Sequence, residues 1–353
     1  MNGRPLAIMG VGLVGGFGVG KQAVLEALAK GGAPNETVTV ETPSGPRRLP
    51  AYQADVAAVR PFISAGDWRR MNRFGKLAVL GASLALQDAG CKAPLNHNHL
   101  GLIVASGYGA SKSTFDFLDS MLEDDGRCPS PTLFSNSVAS SAASHLSIVL
   151  QSGGPSLTVS QFEMSPLSAL LTASTWLAEG RVQAVLFGVV DELCPVLSYS
   201  YERFFGEQTS GPIEPFRWDK QTAVMGEGAA FLLLAPGEGG AAAYGWIDQL
   251  LWTRSDRWAA PADAALVLGA DGHRCCADAY RRLAGDHAQL TAYSPLYGSL
   301  PGGHAFDVAI SALAAQAGRG PNRVWPIKCD AEGNCGVISC RFDRAPDAKS
   351  SYL

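Results

Sequence analysis

The sequence is poor in the features that announce metal, nucleic-acid or membrane chemistry. Its 353 residues include 8 cysteines and 6 histidines, and no cysteine lies in a C-x-x-C pair. The adjacent Cys275 and Cys276 are unsuited to chelating one tetrahedral ion. Net charge is −4 with no long run of one sign, so nothing points to a nucleic-acid or anionic-membrane partner. No apolar stretch approaches the roughly 20 residues that span a bilayer. The apolar start is too rich in glycine and too short of basic residues for a secretory signal. Dispersed thiols without such a signal predict a reducing, cytoplasmic setting.

What is abundant is glycine, 40 residues of it, spread through a regular alternation of short apolar runs and helical patterns. Residues 6–9, 101–105, 157–159, 184–187 and 229–234 read as strands. Residues 21–29, 74–89, 114–122, 139–150 and 167–178 read as helices. The alternation predicts an α/β protein with central, buried sheets. Beyond a glycine-rich stretch at 236–243 the pattern resumes more weakly, with strands near 244–251, 265–268 and 337–342 and helices at 276–283 and 305–315. The length exceeds one ordinary core, so two domains or an intertwined pair of halves is expected, divided as 1–235 and 236–353.

Two motifs suggest a nucleotide and then fail to support one. Gly10-Val11-Gly12-Leu13-Val14-Gly15 fits G-x-G-x-x-G after a strand, and Gly15 to Lys21 resembles a phosphate loop with Gln22 where Ser or Thr should stand. A dinucleotide site wants an acidic residue at the end of the next strand, but Glu36 and Glu41 lie in a Pro/Asn/Thr stretch that does not read as a strand end. A tight glycine turn is the preferred reading. His97 and His99 flank Asn98 in a polar loop, where solvated side chains are favoured over a metal site.

The informative position is Glu163, in Leu157-Thr158-Val159-Ser160-Gln161-Phe162-Glu163-Met164-Ser165-Pro166. A β-branched run leads to it and a small-residue helix follows. A thiol at such a strand-to-helix corner would be acidified by the helix end and reactive. A carboxylate is comfortable there but cannot form an acyl thioester. In order with this corner come the blocks Ser130-Pro131 with Phe134, Ser137 through Leu150, Gly180 through Asp191, Pro215-Phe216-Arg217-Trp218-Asp219, and Met225-Gly226-Glu227-Gly228 leading into an apolar strand.

Together these blocks, from about Leu6 to Leu234, resemble the β-ketoacyl-acyl-carrier-protein synthases of the thiolase fold. The resemblance implies two stacked βαβαβαββ halves, the C-terminal one shortened, an obligate dimer, and condensation of carrier-bound acyl and malonyl groups without a cofactor. It also implies a cysteine, two histidines and a lysine. Here Glu163 takes the cysteine position, Asp271 the first histidine, Ser294 the lysine and Ser299 the second histidine. The glycine-rich C-terminal gate is matched only by Cys329 through Gly336, without its phenylalanines. His273 and His304 are spare histidines that are expected to be structural.

Loss of the whole set predicts a catalytically silent homologue, similar to the chain-length factors of bacterial type II polyketide synthases. On that reading the chain pairs with an active ketosynthase, meets acyl carrier protein, and completes the tunnel for the growing polyketide. Tyr108, Phe115, Leu118, Met121, Leu122 and Phe134 are the expected tunnel or interface residues, against a plain alternative in which the helical ones are ordinary core. A decarboxylase making a primer from malonyl-carrier protein, or a stand-alone carrier-binding scaffold, are the other expectations. If Glu163 is buried, it needs donors or becomes protonated, and it then acts as a plug.

Overall fold

A computed structural model describes residues 4–91, 99–123, 126, 128–205, 211–237 and 242–342. Its N-terminal strands are β1 (Leu6–Gly15), β2 (Gly18–Val19), β3 (Glu36–Thr42), β4 (Gly45–Ala51), β5 (Leu100–Ala105), β6 (Ser156–Val159), β7 (Ala184–Asp191) and β8 (Gly228–Pro236). The later strands are β9 (Gly245–Arg254), β10 (Leu266–Leu268), β11 (Leu290–Thr291), β12 (Arg323–Cys329) and β13 (Asn334–Phe342). The helices begin with α1 (Gly20–Lys30), α2 (Ala65–Arg70), α3 (Arg73–Asp88), α4 (Ser111–Glu123), α5 (Pro131–Ser137) and α6 (Ser141–Val149). They continue with α7 (Ser165–Ala178), α8 (Pro195–Phe205), α9 (Ala277–Ala284), α10 (Ser294–Tyr297) and α11 (Gly303–Gln316).

The main sheet runs β6-β5-β7-β8-β1 and then β9-β13-β12-β10-β11, with β1 and β9 adjoining through Leu6 and Ile247. Numbered within each run by chain order, both halves have the same strand order, 3-2-4-5-1. Alternate side chains enter different cores, as the period of two in a strand requires. Ile103, Phe187, Val189 and Leu232 from one run, with Val267, Ile338 and Cys340 from the other, pack with α7 and α11 into a shared central core. Leu102, Val104, Leu186 and Phe231 face the other way onto α3. Leu266, Leu268, Ile327 and Val337 likewise face α9. The result is five layers, helix, sheet, central helices, sheet and helix. All positions of α11 from Gly303 to Ala315 are buried, which fits an element covered on every side.

Glycines 10 and 12 lie inside β1 rather than in a turn. A Cβ on Gly12 would come within 2.0 Å of Gly81 O, and one on Gly10 within 2.3 Å of Ala85 O. The motif that looks like a nucleotide fingerprint is therefore the place where β1 and α3 touch backbone to backbone. Lys21 is held by Asp88 and, at 3.1 Å, by Tyr244 Oη.

Other details depart from the sequence reading. Residues 36–42 do form a strand, β3, but it pairs with β4 in a separate hairpin and not in the main sheet. The helix expected over 139–150 is present as α6, and an unexpected short helix, α5, precedes it, starting after Ser130. Two of the thiols are not free, since Cys329 and Cys335 form a disulfide across the β12–β13 hairpin. His97 and Asn98 lie outside the described residues, and His99 is exposed.

Candidate functional site

The corner at Glu163 is built as a strained elbow. β6 ends at Val159, and a single 3-10 turn, Phe162–Met164, leads into α7. Phe162 has φ 46°, a left-handed conformation that costs a non-glycine residue about 1–3 kcal/mol. Ser165 ties the elbow down: Gln161 N–H donates to its Oγ at 2.6 Å, and that hydroxyl donates to Ser106 O at 3.0 Å. Glu163 is half-buried there rather than sealed in. Burial pushes its carboxyl up, Lys328 draws it back down, and Asp271 and Asp330 add to the upward push.

Two of the substituted positions, Asp271 and Ser299, meet in one buried polar network. Asp271 Oδ2 accepts Lys328 Nζ at 2.8 Å and Ser299 Oγ at 3.1 Å. His273 Nε2 lies 2.7 Å from Ser299 Oγ, and its Nδ1 lies 3.2 Å from Gln221 Nε2. Tyr201 Oη stands 3.3 Å from both Ser299 Oγ and His273 Nε2. Burial alone would raise the Asp271 carboxyl, but Lys328 and His273 hold it below the usual carboxylate range. Burial lowers His273 more than Asp271 raises it, so the imidazole is neutral at pH 7. Ser294 does not join the network; it is fully buried and donates to Ala270 O at 2.6 Å.

Along the path from Gln221 to Asp271 the hydrogen directions follow from the two ends. Arg274 N–H donates to Gln221 Oε1 at 2.8 Å, which fixes the amide and turns its NH₂ toward His273 Nδ1. The proton of His273 is thereby assigned to Nε2, which donates to Ser299 Oγ. Ser299 then spends its own proton on the Asp271 carboxylate. Ser299 is thus not poised as a nucleophile, because its imidazole neighbour is a donor and not a base. Each polar group is consumed by the next.

Lys328 was not among the residues singled out by sequence. It lies in β12 between apolar residues, next to the half-cystine Cys329, and a lone lysine in Trp325-Pro326-Ile327-Lys328 was the available signal. Its ammonium also donates to Gly269 O at 3.0 Å. Burial lowers it, but Asp271 and Glu163 more than compensate, so it stays charged. The Cys329–Gly336 stretch is a closed hairpin: Asp330 Oδ1 accepts Glu332 N–H and Asn334 N–H, each at 2.9 Å, above the disulfide. His304 stands apart from these hydrogen bonds; it is fully buried on α11 with Nε2 3.0 Å from Pro326 O, within electrostatic range of Lys328.

Two further buried carboxylates shape the walls. Asp191 accepts Ser106 Oγ, Gly107 N–H and Tyr108 N–H on one oxygen and Gly302 N–H on the other, joining a loop of the first half to one of the second. Glu227, from the Met225–Gly228 block, is fully buried, pairs with Arg73 and accepts Ala54 N–H and Leu193 N–H.

Among the expected tunnel residues, Tyr108 and Phe134 each pack on another aromatic ring. Tyr108 is half-buried, and its ring meets Phe162 edge-on with centroids 6.1 Å apart. Phe117 packs on Phe134 at 5.4 Å. The α4 stripe is not core: Phe115 is half-buried, while Leu118, Met121 and Leu122 are exposed, Leu122 to 78%. Phe134 is 58% exposed and Phe162 59%. Ile148 of α6 and Leu157 of β6, the strand that ends the sheet, are further large apolar side chains facing water.

Residues 3–239 match the family model "Beta-ketoacyl synthase, N-terminal domain". The chain belongs to the β-ketoacyl synthase family. Among curated β-ketoacyl synthases it is 28% identical over 249 residues to a "Putative polyketide beta-ketoacyl synthase 1" of Streptomyces virginiae, covering 66% of this chain and 58% of the relative. It is 28% identical over 182 residues to "3-oxoacyl-[acyl-carrier-protein] synthase 2" of Synechocystis, covering 49% of this chain and 43% of that protein. The match thus spans less than two thirds of these relatives' length. The fold extends further than the sequence match. "The ishigamide ketosynthase/chain length factor" superposes with TM-score 0.79 at 17% identity, covering 96% of this chain and 99% of that one. A ketosynthase in complex with its chain length factor from Xenorhabdus doucetiae gives 0.76 at 14% identity, covering 96% and 98%. The thiolase-like fold therefore extends over nearly the whole chain, beyond the residues matched in sequence.

Proposed function

We propose that this chain is a catalytically silent ketosynthase homologue, a chain-length factor that pairs with an active ketosynthase and closes its acyl tunnel. The observation that carries this reading is the hydrogen-bonded chain from Gln221 to Lys328. Two of its members, Asp271 and Ser299, are the residues read at the family's two histidine positions, and the elbow at the cysteine position bears Glu163 instead of a thiol. A carboxylate cannot hold an acyl chain as a thioester, and the groups of such a site act as a unit.

The exposed surface supports a partner. β6 pairs with β5 on one side, and its other edge ends the sheet. An open edge flanked by apolar side chains is an invitation to pair. A groove of about 470 Å³ runs beside it between α6 and β6, lined by Ser144, Ile148 and Leu157 among others. On this reading an active ketosynthase covers β6, α4 and α5, and Tyr108, Phe115, Leu118, Met121, Leu122 and Phe134 face the growing polyketide across that seam. Acyl carrier protein delivers the chain to the pair, and the complex is cytoplasmic. No helix among the described residues is long and apolar enough to cross a membrane. The repeated strand order supports a division into halves at 1–235 and 236–353.

Co-expression with an active type II ketosynthase tests the proposal. The expected result is co-purification as a 1:1 complex that makes polyketide, with no product from either chain alone. A chain that stays unassociated would overturn it. Release of carbon dioxide from malonyl-carrier protein by this chain alone would instead favour a primer-forming decarboxylase.

A further inference from the structure

Cys275 and Cys276 belong to the 3-10 turn Arg274–Cys276 that leads into α9. Their sulfurs are 3.8 Å apart, within the contact range of a sulfur hydrogen bond. The two are placed differently: Cys275 is exposed, and Cys276 is buried in the core cluster beneath α9. Cys275 lies within electrostatic range of both Asp271 and Glu163, which puts it at the border of the polar network. The hydrogen bond with Cys276 brings the Cys275 thiol down to about 7, against burial and the two carboxylates. The same hydrogen bond and burial push the Cys276 thiol up. The pair therefore offers one accessible thiolate in contact with one protonated thiol.

We propose that Cys275 is a site of oxidation by hydroperoxides, with Cys276 as its resolving thiol. The Cys275 thiolate attacks a peroxide oxygen; an S–O bond forms, the O–O bond breaks, and the departing alkoxide takes a proton from solvent to leave as an alcohol. Cys276 then attacks the sulfenic sulfur. An S–S bond forms, the S–O bond breaks, and hydroxide leaves with the Cys276 proton as water. Two thiols are oxidised by two electrons and one hydroperoxide is reduced.

The step has a consequence for the neighbouring network. Bonding draws the sulfurs from 3.8 Å to the roughly 2 Å of a disulfide, which the turn accommodates only by changing shape. Arg274, whose N–H anchors Gln221 and through it His273, is part of that turn. Oxidation at the surface is thereby linked to the hydrogen bonds around His273. Other free thiols lack this arrangement: Cys194 and Cys340 are buried, and neither the half-buried Cys91 nor the exposed Cys128 has a second cysteine beside it in sequence.

The test treats the full chain with one equivalent of hydrogen peroxide and reads intact mass and a peptide map. Loss of two hydrogens, located to the peptide holding Cys275 and Cys276, is expected. Cys276→Ser is expected to stop at a sulfenate on Cys275 that a cyclic 1,3-diketone traps. Within the wild-type chain, Cys275 is expected to be alkylated about tenfold faster than Cys128 at neutral pH, because a neighbouring thiol hydrogen-bonds to Cys275 and favours its thiolate. This comparison needs no variant to fold. Equal rates at the two cysteines, or oxidation without the 275–276 link, would overturn the proposal.

Discussion

Lys328 Nζ lies 2.8 Å from Asp271 Oδ2, with the two side chains 2% and 7% exposed. A pair so far from water is stable as a pair and unstable as either half, because the remaining charge has no solvent to turn to. Asp271→Asn and Lys328→Met are each expected to cost about 3–5 kcal/mol. The double variant should recover much of that loss. Urea unfolding of the four proteins measures the coupling, and simple additivity of the two losses would contradict the pairing.

The elbow predicts what cannot be restored by one change. Glu163→Ala should leave product formation by the heterodimer largely intact, since the reading gives Glu163 no chemical step. Glu163→Cys should yield a thiol at the elbow but no condensation, because Asp271, Ser294 and Ser299 supply no imidazole or ammonium at the family positions. Product assay with a cysteine-less partner ketosynthase would reveal any rescue, and rescue would refute silence.

The α4 stripe separates folding from pairing. Leu118→Asp and Leu122→Asp change exposed side chains, so monomer stability should stay within about 0.5 kcal/mol. Each should weaken association with the ketosynthase by at least about tenfold, the 1.4 kcal/mol scale of one lost interface contact. Sedimentation reads the second and thermal unfolding the first. Enlarging or shrinking Phe115 or Tyr108 should shift product chain length, and an unchanged profile across that series removes both from the tunnel.

Buried groups on α11 give a pH signature of opposite signs. Burial raises Asp307 to about 7, so its contribution is full below its ordinary value of 3.8 and is lost as pH rises through 7. Burial lowers His304 to about 4, so its contribution is full above 6.5 and is lost as pH falls toward 4. The two largely offset one another in the wild type. Asp307→Asn should expose the histidine, with stability falling as pH drops from 6.5. His304→Gln should expose the aspartate, with stability falling as pH rises from 4 to 7. Slopes of up to about 1.4 kcal/mol per pH unit are expected, read from denaturation midpoints.

Gly12 tests the contact between β1 and α3. A methyl group there would meet Gly81 O at 2.0 Å, so backbone has to move. Gly12→Ala is expected to destabilise by more than about 2 kcal/mol, as overpacking does at a site that cannot yield. Gly20→Ala meets no atom within 4 Å and strains only its φ of 80°. It should cost less, and equal losses would count against the close approach.

The sequence by itself determined the layered α/β pattern and the family, because these are read from local patterns in chain order. Apolar runs of strand length, helices of small residues and one acidic residue at a corner are each legible within a dozen positions. Residues 36–42 do not read as a strand because β3 is mostly exposed and polar, paired only with β4 outside the main sheet. Tertiary structure alone decided that Lys328, missed in an apolar strand, balances Asp271, and that His273 bonds Ser299 from two residues past the expected place. It also decided that the α4 stripe faces water. Periodicity shows that a helix has an apolar face, and only the packing of distant elements shows whether anything in the same chain covers it.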